Sequence, residues 1–170
     1  MKIMSLILAA CLTGCVCESI PMGVTPVSSF DGARYSGKWY EIARLDHFFE
    51  KGMSKVTAEY TANPDGSFKV VNRGFVEKNN EWKEITGRAV FVDKSNQGHL
   101  NVSFFGPFYG GYIVFDLDPN YQHALVSGPD HSNFWLLSRT PTISDDVKAD
   151  LMKKIQAAGF DTSKLVMVQQ

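Results

Sequence analysis

Cysteine is confined to the start of this chain. Cys11, Cys15 and Cys17 are the only three in 170 residues. No disulfide can therefore staple whatever folds beyond residue 17, even in an oxidising compartment. A thiol mechanism there is excluded too. Charge of one sign is not in excess: 17 Lys and Arg stand against 18 Asp and Glu, for a net charge of −1. With no basic run, the electrostatic footprint of a nucleic-acid binder is missing. The four histidines, His47, His99, His123 and His131, do not have metal-ligand spacing. Internal repeats and low-complexity segments are absent as well. What remains is an ordinary globular composition, 44% hydrophobic and 21% charged, in a length that suits one domain with a sizeable core.

The first residues differ from the rest. Lys2 precedes an apolar run from Ile3 to Leu12, and small residues follow. That order is a secretory signal, and the run is too short to span a bilayer as a helix. "LTGC", ending at Cys15, resembles the lipobox of bacterial lipoproteins, in which the cysteine is lipidated and becomes the new N-terminus. "LAAC", ending at Cys11, fits the same pattern but leaves a very short apolar centre, so Cys15 is favoured. The expected organisation is a signal peptide at 1–14, a lipidated tether at 15–27 and a domain at 28–170. Val16 stands where the inner-membrane retention signal of that family has aspartate, which implies the outer membrane of a Gram-negative bacterium, with the domain facing the periplasm.

After the tether, short alternating segments follow one another with turn signals between them. "KVTAEY" places Val56, Ala58 and Tyr60 on one face, and "HLNVSFF" does the same with Leu100, Val102 and Phe104. "NPDGS", "DKSNQG" and "DPN" are turns. The segments "KWYEIARL", "KVTAEY", "FKVVNRGF", "WKEITGRAVFV", "HLNVSFF", "YIVFDL", "HALVS" and "FWLLSR" make eight strands on hairpin-length links. Such a meander buries its inner face by closing into a barrel or packing into a sandwich. One helix follows: Ser144 caps it, Asp145 and Asp146 open it, Val147, Leu151, Ile155 and Ala158 form its apolar stripe, and Gly159 ends it. "KLVMV" could add a last short strand.

Three blocks in this order resemble the lipocalins: "GKWYEIAR" at the first strand, "FDLDPNYQHALV" at the turn after the sixth, and "WLLSRTP" at the end of the eighth. "FFGPFYGGY" and "LLSRTPTIS" look like the bacterial outer-membrane members, relatives of apolipoprotein D. The resemblance covers Ser28 to Gln170. It implies an all-β fold, an eight-stranded up-and-down antiparallel β-barrel with one C-terminal α-helix packed outside. It implies hydrophobic ligands, most of all fatty acids or lysophospholipids, and no cofactor.

In such a barrel alternate hairpins share an end. The short turns fall together, which closes one end. "DHFFEKG", "EKNNE", "FGPFYGG" and "GPDHSN" fall at the other, the mouth. Trp39 and Arg139 lie at the closed end, where a guanidinium over the indole would contribute about 0.5–2 kcal/mol. Glu41 shares the face of Trp39 and is expected to be a buried acid with a structural partner. Alternation lines the cavity with Ala58, Tyr60, Val70, Asn72, Ala89, Phe91, Val102 and Phe104. Gly87 joins Ala58 and Ala89 as a small inward residue that favours a hollow. Arg139 sets the phase that adds Trp135 and Leu137. The family phase adds Tyr112 and Val114 and would also put Asp116 inside. Phe48, Phe49 and Phe108 are expected at the mouth, with Tyr109 beside Phe108. Asn72 and Tyr60 either orient a ligand's polar end or satisfy neighbours. The expected partners are a fatty acid or lysophospholipid and the membrane, through the anchor; a homodimer stays open. An enzyme is not expected, since "SGPDHS" holds Ser127, Asp130, His131 and Ser132 without a nucleophile elbow. A lipid-modifying enzyme, or a carrier of a pigment or haem, is the alternative.

Overall fold

A computed structural model describes residues 19–170. The lipidation site expected at Cys15 and the signal at 1–14 lie outside the described residues. Nine strands form a single antiparallel sheet in the order β2-β3-β4-β5-β6-β7-β8-β1-β9, and β1 also pairs with β2. That last pairing closes an eight-stranded barrel: β1 (Gly37–Leu45), β2 (Met53–Ala62), β3 (Phe68–Val76), β4 (Glu81–Phe91), β5 (His99–Phe105), β6 (Phe108–Leu117), β7 (His123–Ser127) and β8 (Phe134–Ser138). β9 (Leu165–Met167) pairs with Ala43–Leu45 at the end of β1, past the stretch Gly37–Tyr40 that pairs with β2. Closure leaves the eight strands no open edge for pairing with another chain.

Two packed layers result. Inside the barrel Trp39, Ala58, Tyr60, Phe68, Val70, Ala89, Leu100, Val114, Val126 and Leu137 form one cluster. Outside it, helix α2 (Asp145–Ala157) lays Leu151 and Ile155 on Ile42, Ala43, Ile113, Leu125, Phe134 and Leu136. Ser144 Oγ accepts from the Val147 amide, and Gly159, at φ +91°, ends the helix in the left-handed conformation that glycine takes without strain. A short helix absent from the sequence reading, α1 (Gly32–Tyr35), sits before β1 with Asp31 as its cap.

Two bulges change which side chains face inward. In β1 the register shifts between Glu41 and Ala43, so Ile42 and Ala43 both face the helix and Arg44 returns to the barrel side, beside Trp135. In β6 it shifts between Val114 and Asp116. Phe115 and Asp116 consequently both point outward, Asp116 to Lys154 of α2 at 3.1 Å, and Leu117 returns to the interior cluster. Asp116 is thus not inside, as strict alternation required, because one extra residue reverses the phase of everything after it.

The described part of the segment read as a lipidated tether, residues 19–27, runs along the barrel. Pro21 and Val24 are buried, the Val27 amide donates to Val114 O at 2.9 Å, and Phe30 is part of the interior cluster. This strap reaches the closed end, where the Phe30 amide donates to Asn96 O at 2.9 Å.

Candidate functional site: a barrel closed at one end and open at the other

The floor is built by α1 and the ends of β1 and β8. Arg139 places its guanidinium carbon 3.9 Å from the centroid of the Trp39 ring. Its nitrogens donate to the carbonyls of Lys38, Arg34, Tyr35, Ser36 and Tyr121, at 2.7 to 3.2 Å. The Trp39 indole N–H donates to Tyr35 O at 2.8 Å. One side chain thereby satisfies the carbonyls at the C-terminal end of α1 and pins the plug to the barrel.

Above the floor three tyrosines meet. The hydroxyls of Tyr35 and Tyr112 are 2.7 Å apart, and that of Tyr60 donates to Tyr112 at 2.8 Å. Burial, first of all, pushes the pKa of each above the ordinary phenol value, so all three stay neutral. Three hydroxyls carry three protons, and two bonds among them use two. One O–H is left that the bonds within the triad do not use. Tyr60 is therefore tied to its neighbours as well as facing inward. On the wall, Asn72 lies opposite Ala58 and its Oδ1 is buried without a hydrogen-bond partner.

The remaining expected lining residues face the interior. Ala58, Val70, Ala89 and Leu137 are buried, while Phe91, Val102, Phe104, Tyr112 and Trp135 pack against them only partly covered. Partial exposure of side chains that point into a barrel means that their neighbours do not fully enclose them. Gly87 does not add to that space. A Cβ there would lie 2.6 Å from both Phe104 Cδ1 and Ser103 O, so the ring of Phe104 occupies the gap. Two hollows, of about 320 and 500 Å³, lie on the outer surface and at the closed end, and charged residues such as Lys38, Arg73 and Arg34 are among their linings. Apolar ligands have no comparable wall there.

Near the mouth sits a cluster of ionisable side chains that alternation does not show. Arg44 Nη1 and Glu41 Oε1 are 2.9 Å apart, both buried, and Arg44 Nη2 donates to Glu50 O at 2.8 Å. The Trp135 indole donates to Glu50 Oε2 at 3.1 Å, and His47 Nε2 lies 3.2 Å from the same oxygen, outside hydrogen-bond alignment. Burial, reinforced by the charge of Glu50, raises the Glu41 pKa to about 8. Burial likewise raises that of Glu50 and, with the Arg44 charge, lowers His47 to about 4. Glu41 is thus a buried acid with a structural partner. Arg44, His47 and Glu50 escaped the sequence reading; the break in alternation at "EIARL", two adjacent apolar residues between charges, was the available signal.

The rim carries bare rings. Phe48 is 90% exposed and Phe108 78%, with Phe49 and Tyr109 half-exposed. His131 turns to Ala158 O and the ring of Phe160, while Asp130 accepts from Ser132, so "SGPDHS" forms no serine–histidine–aspartate relay. Among the described residues no group of three or more His, Cys, Asp or Glu is placed to hold a metal ion.

A closed antiparallel barrel, plugged at one end by a helix and open at the other onto a mostly apolar interior, is the architecture of a small-molecule-binding cup. Residues 30–170 match the family model for the lipocalin-like domain, and the chain belongs to that family. It is 52% identical over 160 residues to the outer membrane lipoprotein Blc of Vibrio cholerae, covering 94% of this chain and 92% of that one. To the protein of the same name from Escherichia coli K12 it is 48% identical over 174 residues, covering 100% and 98%. Among solved structures, insecticyanin from the tobacco hornworm has the same fold, with a TM-score of 0.72 at 20% identity over 89% of this chain and 87% of that one.

Proposed function

We propose that this chain is a lipid-anchored lipocalin of the Gram-negative outer membrane that holds single-chain lipids, fatty acids or lysophospholipids, for storage or transport in the envelope. The observation that carries the ligand reading is the interior wall: Phe91, Val102, Phe104, Tyr112 and Trp135 point inward yet remain partly uncovered. An eight-stranded barrel has room for its own side chains and one narrow ligand, which favours one acyl chain over two. The spare tyrosine O–H and the Asn72 oxygen supply the few polar points that such pockets use for orientation. The anchor reading is supported by "LTGC" and by the name that both bacterial relatives bear. Cys15 is its lipidation site.

Titration with palmitic acid tests the ligand reading. Trp135 is the tryptophan inside the cup near its mouth, Trp39 is sealed in the floor, and Trp82 is on the surface. Palmitic acid should change Trp135 emission saturably, at one ligand per chain. Ala58→Trp, which fills the space beside Asn72, should remove that response. A response unchanged by Ala58→Trp would place the ligand elsewhere.

A further inference from the structure

The place where the chain emerges fixes which way the cup faces. Ser19 Oγ donates to Pro129 O at 2.9 Å, in the β7–β8 link at the mouth. From there the strap runs outside the barrel to the closed end. Ser19 is four residue steps from Cys15, a reach of at most about 14 Å. The nine residues of β1 span roughly 30 Å along the strand, about 23 Å along the axis of a barrel whose strands tilt by 35–45°. An anchor at Cys15 can thus lie beside the mouth but cannot reach past the closed end.

The surface at that end suits lipid. Phe48 and Phe49 sit on the β1–β2 link, and Phe105, Phe108 and Tyr109 on the β5–β6 hairpin. These links are four strands apart in a ring of eight, so they lie across the mouth from each other and a flat surface normal to the axis meets both. Phe48, Phe105 and Phe108 are 90%, 73% and 78% exposed. The links of the closed end, 63–67, 92–98 and 118–122, carry one aromatic ring, Tyr121, and it is buried, so no exposed ring stands there. Around the mouth Lys51 and Lys78 are outnumbered by Asp46, Glu77 and Asp130, so there is no cationic patch among these links.

We propose that the mouth docks on the bilayer that carries the chain's own anchor, with Phe48, Phe49, Phe105 and Phe108 in the lipid interface. This rests on lipidation at Cys15, not on the identity of the ligand. Contact is apolar and therefore insensitive to salt. Lipid would then pass between cup and bilayer without crossing water.

The test uses the full lipidated chain on vesicles of phosphatidylethanolamine and phosphatidylglycerol with brominated acyl chains. Phe108→Trp at the mouth should be quenched several-fold more than Lys94→Trp at the closed end, equally at 50 and 500 mM salt. Equal quenching, or stronger quenching of Lys94→Trp, overturns the proposal. Hydrogen exchange on the unsubstituted chain gives an independent readout. Amides of 46–52 and 105–109 should slow on vesicles relative to detergent while 93–97 stay unchanged; the reverse, or no difference, also overturns it. A chain that does not stay on vesicles loses anchor and orientation together. Neither readout involves a bound ligand, so a failed palmitic acid titration leaves them standing.

Discussion

Removing Arg139 should loosen the closed end more than any other single truncation of a partly exposed side chain in the barrel. Its guanidinium makes five hydrogen bonds to backbone carbonyls, three of them partly buried, and covers the Trp39 ring at 3.9 Å. A hydrogen bond from a charged donor contributes about 1.5–3 kcal/mol when shielded, and less where water competes, as for the bonds to Arg34 O and Lys38 O. The ring contact adds roughly 0.5–2 kcal/mol. These contributions overlap, so Arg139→Ala should cost about 3–5 kcal/mol in all. Arg139→Lys keeps the charge over the indole but not the planar fork that reaches β1, α1 and Tyr121 at once; it should cost about 2 kcal/mol. Trp39→Ala should itself cost about 3–5 kcal/mol as a large-to-small change at a fully buried site, and the double variant should lose less than the sum because the two share a contact. Urea unfolding followed by far-ultraviolet circular dichroism measures all of these. A loss below about 1 kcal/mol for Arg139→Ala, or Arg139→Lys as stable as the parent, would refute the idea that this side chain locks the plug.

Gly87→Ala should destabilise by about 1–3 kcal/mol, since its Cβ meets the backbone oxygen of Ser103 as well as the Phe104 ring; an unchanged urea midpoint would show that the two strands yield freely. Glu41 holds its proton up to about pH 8 in the fold but only to its ordinary 4.5 unfolded. Its contribution is therefore complete below pH 4.5 and drains as pH rises through 8, while that of His47, held at about 4 against an ordinary 6.5, is present above 6.5 and is lost as pH falls through 4. Glu41→Gln should accordingly flatten the decline in melting temperature between pH 6 and 9, and a slope equal to that of the parent would contradict it. Cys15→Ser should leave the chain unacylated by mass spectrometry and release it from membranes; continued membrane partitioning would place the anchor elsewhere.

Strand order, the outer helix and the pairing of Trp39 with Arg139 were legible because each depends on a periodic pattern or a short motif. "HLNVSFF" alternates without a break, so Leu100, Val102 and Phe104 can be assigned to the interior by counting. Counting fails where a residue is inserted. The bulges in β1 and β6 leave composition and turn signals unchanged but reverse the phase, which sends Arg44 inward and Asp116 out to Lys154. The hollow inferred from Gly87 was misread for a different reason: a missing side chain shows where space exists, not what fills it, and Phe104 from the neighbouring strand does. The tyrosine triad joins α1, β2 and β6, residues 52 and 77 positions apart, and such a contact leaves no local trace. Phe48 and Phe108 were placed at the mouth by hairpin parity alone, whereas the contact of Ser19 with Pro129 could come only from the folded chain.

The central claim is that the cup holds one single-chain lipid. Native mass spectrometry of the lipidated chain, purified from the membrane without added lipid, tests it most directly. The account predicts a bound population heavier by the mass of one fatty acid or one lysophospholipid, which collisional activation releases and Ala58→Trp diminishes. A spectrum containing only the unliganded chain, still unliganded after incubation with micromolar palmitic acid, would contradict it.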